Sequence, residues 1–141
     1  MPISAILFPA CGLVVLTALV WVWLYVDRLG EMSRKGIDAQ KLSTRDATQA
    51  ALERVNASDN FKNLFEAPVL FYTLCAFLAV TGTVTHGMVT AAWVYVGLRT
   101  AHSFVHVTYN RVIHRFVFYV LSTLLLFGMW GVFAWQLLDK T

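Results

Sequence analysis

Two groups of polar residues interrupt long apolar stretches of the sequence, and they are the candidates for chemistry. Asn63 and Glu66 lie three residues apart at the start of the second apolar stretch. Arg99, His102 and His106 recur at helical spacing inside the third stretch. Ionisable residues cost roughly 2.5–3.5 kcal/mol at the centre of a membrane helix, so they usually face a protein interior or a wet cavity. The two groups are therefore predicted to face each other across a functional site.

The chemistry predicted for this site is binding of an amphiphile with an anionic head and an apolar tail. An ion pair between Arg99 and Glu66 would remove the cost of a lone buried carboxylate, and Asn63 would complete the hydrogen bonding. More polar residues surround the same predicted mouth, namely His102, His106, Tyr109, Arg111 and Arg115. A single buried ion pair would also suffice to fix the helix register, so a purely structural role remains open.

A metal site is the sharpest alternative for the same residues. His102 and His106 stand at i and i+4, a spacing at which both can bind one ion, and Glu66 would be a third ligand. Arg99 lies on the same predicted face and would repel a cation, and the sequence has no second helical pair of histidines. No metal ligand is assigned on this basis.

Four apolar stretches must position these residues. The 141-residue chain is 58% hydrophobic and 13% charged, whereas soluble domains are about 45–50% apolar and about 25% charged. Each stretch has the roughly 20 residues that a transmembrane helix needs. The predicted spans are Ile3–Val26, Phe61–Val80, Met88–Tyr109 and Phe116–Leu138. The sequence thus predicts a single all-α membrane domain over residues 1–141, a four-helix bundle with up-down-up-down topology.

The positive charges predict the orientation of this bundle. Lys and Arg are concentrated in the connection 27–60 and in the turn between the third and fourth spans. By the positive-inside rule, both connections are cytoplasmic and both termini lie outside the cytoplasm. This topology accounts for the net charge of +3, so nucleic acid is not an expected partner. The first stretch lacks a basic start and a cleavage site and is expected to stay in the membrane, here a bacterial inner membrane.

Two local features bear on the site and on the long connection. Pro68 follows Glu66 by two residues and is expected to kink the second span and open a pocket there. Within the connection 27–60, Ala47–Val55 is predicted to form a short helix, whereas Leu29–Lys41 is predicted to be a solvated connector.

These motifs resemble those of the MAPEG family, the membrane-associated proteins in eicosanoid and glutathione metabolism. The four-span layout and the polar first connection match as well. The residues that carry the resemblance are Asn63-x-x-Glu66-x-Pro68, Arg99-x-x-His102, and Arg111 and Arg115 at the spacing of the prostaglandin E synthase branch. The resemblance implies a homotrimer that binds glutathione in clefts between subunits, next to a lipophilic second substrate.

The resemblance also implies roles for individual residues. Asn63 and Glu66, with Lys62 beside them, would hold the glutathione backbone or its amine. Arg99 would brace Glu66 or a glutathione carboxylate. Arg115 would lie near the thiol, where a cation favours the thiolate. The remaining residues assigned to glutathione binding are His102, His106, Tyr109 and Arg111.

The chain departs from the family pattern at several of these positions. Catalytic members carry arginines shortly before the Asn, where this chain has Asp59, Asn60 and Lys62. Lysine keeps the charge of arginine but not its bidentate geometry. His106 falls where the synthase branch has a tyrosine, and Phe116 falls where it has a serine.

Two functions therefore follow from the sequence. One is a glutathione-dependent transferase or peroxidase that acts on lipophilic electrophiles. The other is a non-catalytic subunit that binds membrane lipid or a partner protein in a membrane complex.

Overall fold

Helices account for all the regular structure in the described residues, which are 1–44, 48 and 56–139 of a computed structural model. The α-helices are α1 (Leu7–Lys35), α2 (Asn56–Asn63), α3 (Ala67–Thr81), α4 (His86–Val107) and α5 (Val112–Leu138). Short 3₁₀ turns at Ile3–Ile6 and Ala39–Leu42 flank α1. The prediction of an all-α fold is confirmed for this part of the chain. The helix predicted at Ala47–Val55 falls almost entirely outside the described residues.

Three segments of the described chain are long and apolar enough to cross a membrane. They are Ile3–Lys35, Ser58–Thr81 and Val112–Leu138. These segments support an integral membrane protein. The helix α4 is not among them, because an arginine and three histidines lower its hydropathy. Its 22 residues still give it a length of roughly 33 Å at 1.5 Å per residue.

The helix α4 occupies the centre of the bundle. It packs along α5 and also contacts α1 and α2, while α3 contacts α1 and α5. The rings of Phe71 on α3 and Tyr95 on α4 stack at a centroid distance of 4.4 Å. Beyond this stack, towards the turn between α3 and α4, the interior is apolar and includes Leu74, Leu78 and Met88. The polar interior lies on the other side of the stack, where α2 meets α4.

The distribution of polarity across α4 is the reverse of that in a soluble protein. Arg99 and His102 are buried, whereas Trp93, Val94 and Phe104 of the same helix are exposed. Large exposed apolar surfaces on a protein mark contact with a membrane or with another protein. Buried ionisable groups beneath an apolar surface are what the energetics of a lipid environment favour.

The first helix continues beyond Val26, the predicted end of the first span, as far as Lys35. Apart from Gly30, most of these positions hold residues that are compatible with a helix, such as Leu29 and Met32. Lys35 forms an ion pair of 2.8 Å with the buried Glu31 one turn earlier. Gly36 ends the helix in the left-handed conformation, with φ 61°, which only glycine adopts without strain. The first part of the predicted solvated connector, Leu29–Lys35, is therefore helical.

This helix end can be tested with a pair of glycine variants. Gly36→Ala is expected to lower the free energy of unfolding by about 1 kcal/mol, because alanine is strained in the left-handed region. Gly30→Ala, inside α1 where an added Cβ meets no atom within 4 Å, is expected to be neutral or to stabilise by up to about 1 kcal/mol. Unfolding in detergent micelles measures both, and equal responses would contradict this helix end.

Candidate functional site

The second predicted span is interrupted at the candidate site. The helix α2 ends at Asn63 and α3 begins at Ala67, with Glu66 between them at φ −93° and ψ −100°. Pro68 lies in the first turn of α3, where its missing N–H would have had no helical partner. The distortion expected at Pro68 takes the form of a break just before the proline rather than a kink, so Asn63 and Glu66 do not lie in one continuous helix. The chain breaks before the proline because Pro68 has no N–H to donate to the carbonyl of Leu64 four residues earlier, and its ring would clash with that carbonyl in a continuous helix.

The break frees a backbone carbonyl that Arg99 then binds. Nη2 of Arg99 donates a hydrogen bond of 2.6 Å to the carbonyl oxygen of Asn63. The guanidinium carbon lies 5.6 Å from the ring centroid of Tyr119 on α5, and Arg99 is 0% exposed. One turn earlier on α2, the side-chain oxygen of Asn60 accepts a hydrogen bond of 3.2 Å from the hydroxyl of Ser103. The two contacts hold α2 antiparallel to α4.

The predicted ion pair between Arg99 and Glu66 does not form within the chain. None of the ion pairs among the described residues joins these two side chains. The break presents the carbonyl of Asn63 to the guanidinium, whereas the side chain of Glu66 is exposed. The carboxylate of Glu66 is thus accessible to a ligand.

His102, His106 and Arg115 meet where α4 ends and α5 begins. Nδ1 of His102 donates to the carbonyl oxygen of Arg115 over 3.0 Å. Nη1 of Arg115 donates to Nε2 of His106 and to the side-chain oxygen of Asn110, in both cases over 3.0 Å. Because a guanidinium can only donate, Nε2 of His106 is unprotonated, while His102 carries its hydrogen on Nδ1. Both imidazoles are therefore held in the same neutral tautomer, with the hydrogen on Nδ1.

This arrangement does not support the metal alternative. The lone pair that His106 would offer to an ion is occupied by Arg115, whose positive charge also repels a cation. The imidazole centroids of His102 and His106 are 5.8 Å apart, and Glu66 faces outward. Within the described ranges, no group of three His, Cys, Asp or Glu residues is suited to hold a metal ion.

The remaining predicted site residues lie at the surface. Lys62 forms an ion pair of 2.9 Å with Asp59 on its own helix. The hydroxyl of Tyr109 lies 3.1 Å from Nδ1 of His114, and both side chains are exposed. Arg111 precedes α5 and is exposed. The predicted residues thus divide into a buried polar scaffold and an accessible outer set.

Four residues of the polar scaffold were not predicted from the sequence: the buried Asn60 and Ser103 and the partly buried Asn110 and Tyr119. Helical spacing carried a signal for three of them. Asn60 precedes Asn63 by three positions, Ser103 follows Arg99 by four, and Tyr119 follows Arg115 by four. Residues at these separations share a helix face.

An apolar cavity of about 480 Å³ opens beside the break between α2 and α3. Its wall is formed by α1, α2 and α3, through Val14, Thr17, Ala18, Trp21, Phe61, Leu64, Phe65 and Tyr72. Leu64 and Phe65 are the two residues between Asn63 and Glu66. The accessible carboxylate therefore adjoins a compartment that suits an apolar ligand.

Comparison with known proteins identifies the family. The family model described as MAPEG family matches residues 6–135, which is nearly the whole chain. The chain belongs to the MAPEG family. The resemblance inferred from the motifs is thereby confirmed, and it supports a membrane function related to glutathione or eicosanoids. Neither the curated proteins nor the solved structures give a significant match.

The contact between α2 and α4 in this MAPEG protein can be tested with two buried serines. Ser103→Ala leaves the side-chain oxygen of Asn60 without a partner and is expected to cost about 1–3 kcal/mol of stability. Ser122→Ala is the matched control, because the hydroxyl of Ser122 bonds only to a carbonyl of its own helix. Its expected cost is below about 1 kcal/mol. Equal losses in detergent unfolding would show that the interhelical contact contributes nothing.

Proposed function

We propose that this MAPEG protein is a glutathione-dependent transferase or peroxidase that acts on lipophilic electrophiles within the membrane. The observation that carries this proposal is the position of Glu66 and Asn63, which flank two wall residues of the apolar cavity. Glutathione would then bind at the polar break while the lipophilic substrate binds in the adjoining apolar cavity, so that the two reactants lie next to each other.

In this proposal α4 also crosses the membrane, which gives four spans in total with α4 as the third along the chain. Its polar face is buried against its neighbours and its exposed face carries Trp93, Val94 and Phe104, as expected for a helix in lipid. The connection 27–60, rich in Lys and Arg, would be cytoplasmic, with both termini on the opposite side. This topology suits a bacterial inner-membrane protein.

A complete site would need more than one copy of the chain. The cavity lies among α1, α2 and α3, whereas Arg115 lies at the start of α5, bonded to His106 and Asn110. A homotrimer, the assembly typical of the family, would bring Arg115 of one subunit to the cavity of the next. The exposed side chains of Glu66 and Arg111 are available for such a shared site.

The residues fit the chemical groups of glutathione, which supplies the nucleophilic thiol. Glu66 presents a free carboxylate to the ammonium group, and the amide of Asn63 can bond to a peptide group. Arg115 places a positive charge that stabilises a thiolate. Arg99 does not reach the ligand in this scheme. It is a positioning residue that holds the carbonyl of Asn63 and thereby the break.

The other predicted binding residues take supporting roles. Lys62 and Arg111 are exposed at the mouth and would attract the carboxylates of glutathione. His106 orients Arg115 through its Nε2, and His102 bonds to the Arg115 carbonyl. Tyr109, which contacts His114, would form part of the exposed entrance to the site.

Glu66→Gln tests the site directly. Because Glu66 is exposed, its folding stability is expected to change by less than about 0.5 kcal/mol. Its affinity for glutathione is expected to fall about tenfold or more, because a charge-assisted hydrogen bond is lost. Asp139→Asn, which removes an exposed carboxylate at the end of α5, is expected to keep glutathione affinity. Calorimetric titration measures both, and unchanged binding in Glu66→Gln would exclude this site.

Arg115→Leu tests the activation of the thiol. A cation near a thiol shifts its ionisation by about one to three pH units, so the thiolate absorbance of the bound tripeptide should fall about tenfold or more at neutral pH. Arg34→Leu removes an exposed arginine at the end of α1 and should leave the absorbance unchanged. Wild-type protein that shows neither thiolate absorbance nor stabilisation by millimolar glutathione would end the proposal.

A second function, lipid binding without catalysis, is favoured by one specific contact. Lys62 is the only basic residue just before Asn63, and it is already paired with Asp59. The 480 Å³ cavity would then hold the tail of a membrane lipid, or the protein would serve as a subunit of a larger membrane complex. Mass spectrometry of the purified protein would show a stoichiometric lipid or partner. Turnover of a chlorinated aromatic or a lipid hydroperoxide with glutathione would exclude this function.

A further inference from the structure

Three side-chain contacts hold Arg115, and none of them is made by a carboxylate. Nδ1 of His102 donates to the backbone carbonyl oxygen of Arg115 over 3.0 Å. Nη1 of Arg115 donates to Nε2 of His106 and to Oδ1 of Asn110, in both cases over 3.0 Å. Neither ion pair of the described chain includes Arg115. The guanidinium is therefore oriented by neutral acceptors, which leave its positive charge in place.

Both hydrogen bonds of the Arg115 side chain start from the same nitrogen. Nη1 of a guanidinium carries two hydrogens, so His106 and Asn110 each accept one of them. The other three N–H groups, on Nη2 and Nε, have no hydrogen-bond partner among residues 1–44, 48 and 56–139. Because Arg115 is only half-buried, this side of the guanidinium can reach a ligand.

Asn110 combines two properties that few residue types share. Its backbone has φ 44°, in the left-handed region, and its N–H donates to the carbonyl oxygen of Val105 over 2.8 Å at the end of α4. Glycine tolerates this conformation but has no side-chain acceptor, whereas Asn and Asp tolerate it and have one. Of these residues, only Asn offers the acceptor without a negative charge. Asn110 can thus form the turn and orient Arg115 at the same time.

We propose that Asn110 is a positioning residue for Arg115, which it orients through a neutral acceptor so that the full charge of the guanidinium acts on the thiol of glutathione. This inference rests on the proposed function, because the thiol of glutathione is the group that Arg115 would ionise. A carboxylate in the same place would bind the guanidinium more tightly, but it would cancel most of the positive charge felt by the thiol. Asp59, whose charge acts on His106, is already bound by Lys62 over 2.9 Å.

Two substitutions that keep the left-handed backbone separate the charge of this side chain from its shape. Asn110→Asp retains the acceptor and adds a negative charge, so the pH midpoint at which bound glutathione forms thiolate is expected to rise by about one unit or more. Asn110→Gly removes one anchor of Arg115 and adds no charge, so its midpoint is expected to rise by less than about one unit. Thiolate absorbance, titrated against pH in detergent, measures both. A midpoint in Asn110→Asp no higher than that in Asn110→Gly would overturn the inference.

A charge control assigns the effect to the neighbourhood of Arg115. Gln136→Glu adds a negative charge in the last turn of α5, roughly 30 Å along the helix axis from Arg115. Salt screens a charge at that distance, so the thiolate titration is expected to match that of the wild type. An equal rise in Gln136→Glu and Asn110→Asp would contradict a role for Asn110.

A binding control separates positioning of Arg115 from general support of the site. S-methylglutathione has a sulfur that cannot ionise, so the wild type, Asn110→Asp and Asn110→Gly are expected to bind it with equal affinity in calorimetric titration. Loss of S-methylglutathione affinity in both variants would show that Asn110 only maintains the shape of the site, which would overturn the inference.

The inference can fail without the proposed function. If the wild type forms the thiolate and both Asn110 variants titrate like it, the role of Asn110 alone is refuted. Wild-type protein without thiolate absorbance would refute both. If Asn110→Asp does not fold, Asn110→Gly decides: a raised midpoint with unchanged S-methylglutathione affinity supports the inference, and an unchanged midpoint overturns it.

Discussion

The structure depends on one constraint, that the polar face of α4 must be kept away from lipid. The hydrogen bond from Arg99 to the carbonyl of Asn63 is the main contact that meets it. A guanidinium exposed to hydrocarbon would oppose insertion of the helix. The bundle therefore forms around α4, with α1, α2 and α5 in contact with it, and leaves the apolar side chains of the helices on the outside.

The same contact links the fold to the candidate site. Arg99 can bind a backbone carbonyl only because α2 ends at Asn63 and leaves that carbonyl without a helical partner. The break that frees the carbonyl also turns Glu66 outward, next to the apolar cavity lined by Leu64 and Phe65. The same few residues before Pro68 therefore attach α2 to α4 and also expose the carboxylate of Glu66.

The buried polar groups also explain why the departures from the family pattern are tolerated. His106, which stands where the synthase branch has a tyrosine, retains a clear contact because its Nε2 accepts from Arg115. Asn60, which falls where catalytic members carry arginines, bonds to Ser103 and holds α2 to α4. These substitutions preserve a connected polar interior, although they change the charge available to a ligand.

The hydrophobic spacing of the sequence was sufficient to predict the helices and the shared face of Arg99, His102 and His106. The short motifs were sufficient to predict the family. Both kinds of signal are local properties of the sequence. The partner predicted for Arg99 was Glu66, whereas the structure shows the backbone carbonyl of Asn63 in that place. The two groups lie within a few residues of each other, and only the chain break separates them. The three-dimensional structure decided that choice. A guanidinium can bind any acceptor within reach, so its partner depends on where the neighbouring helix ends and how it packs, which local spacing does not specify.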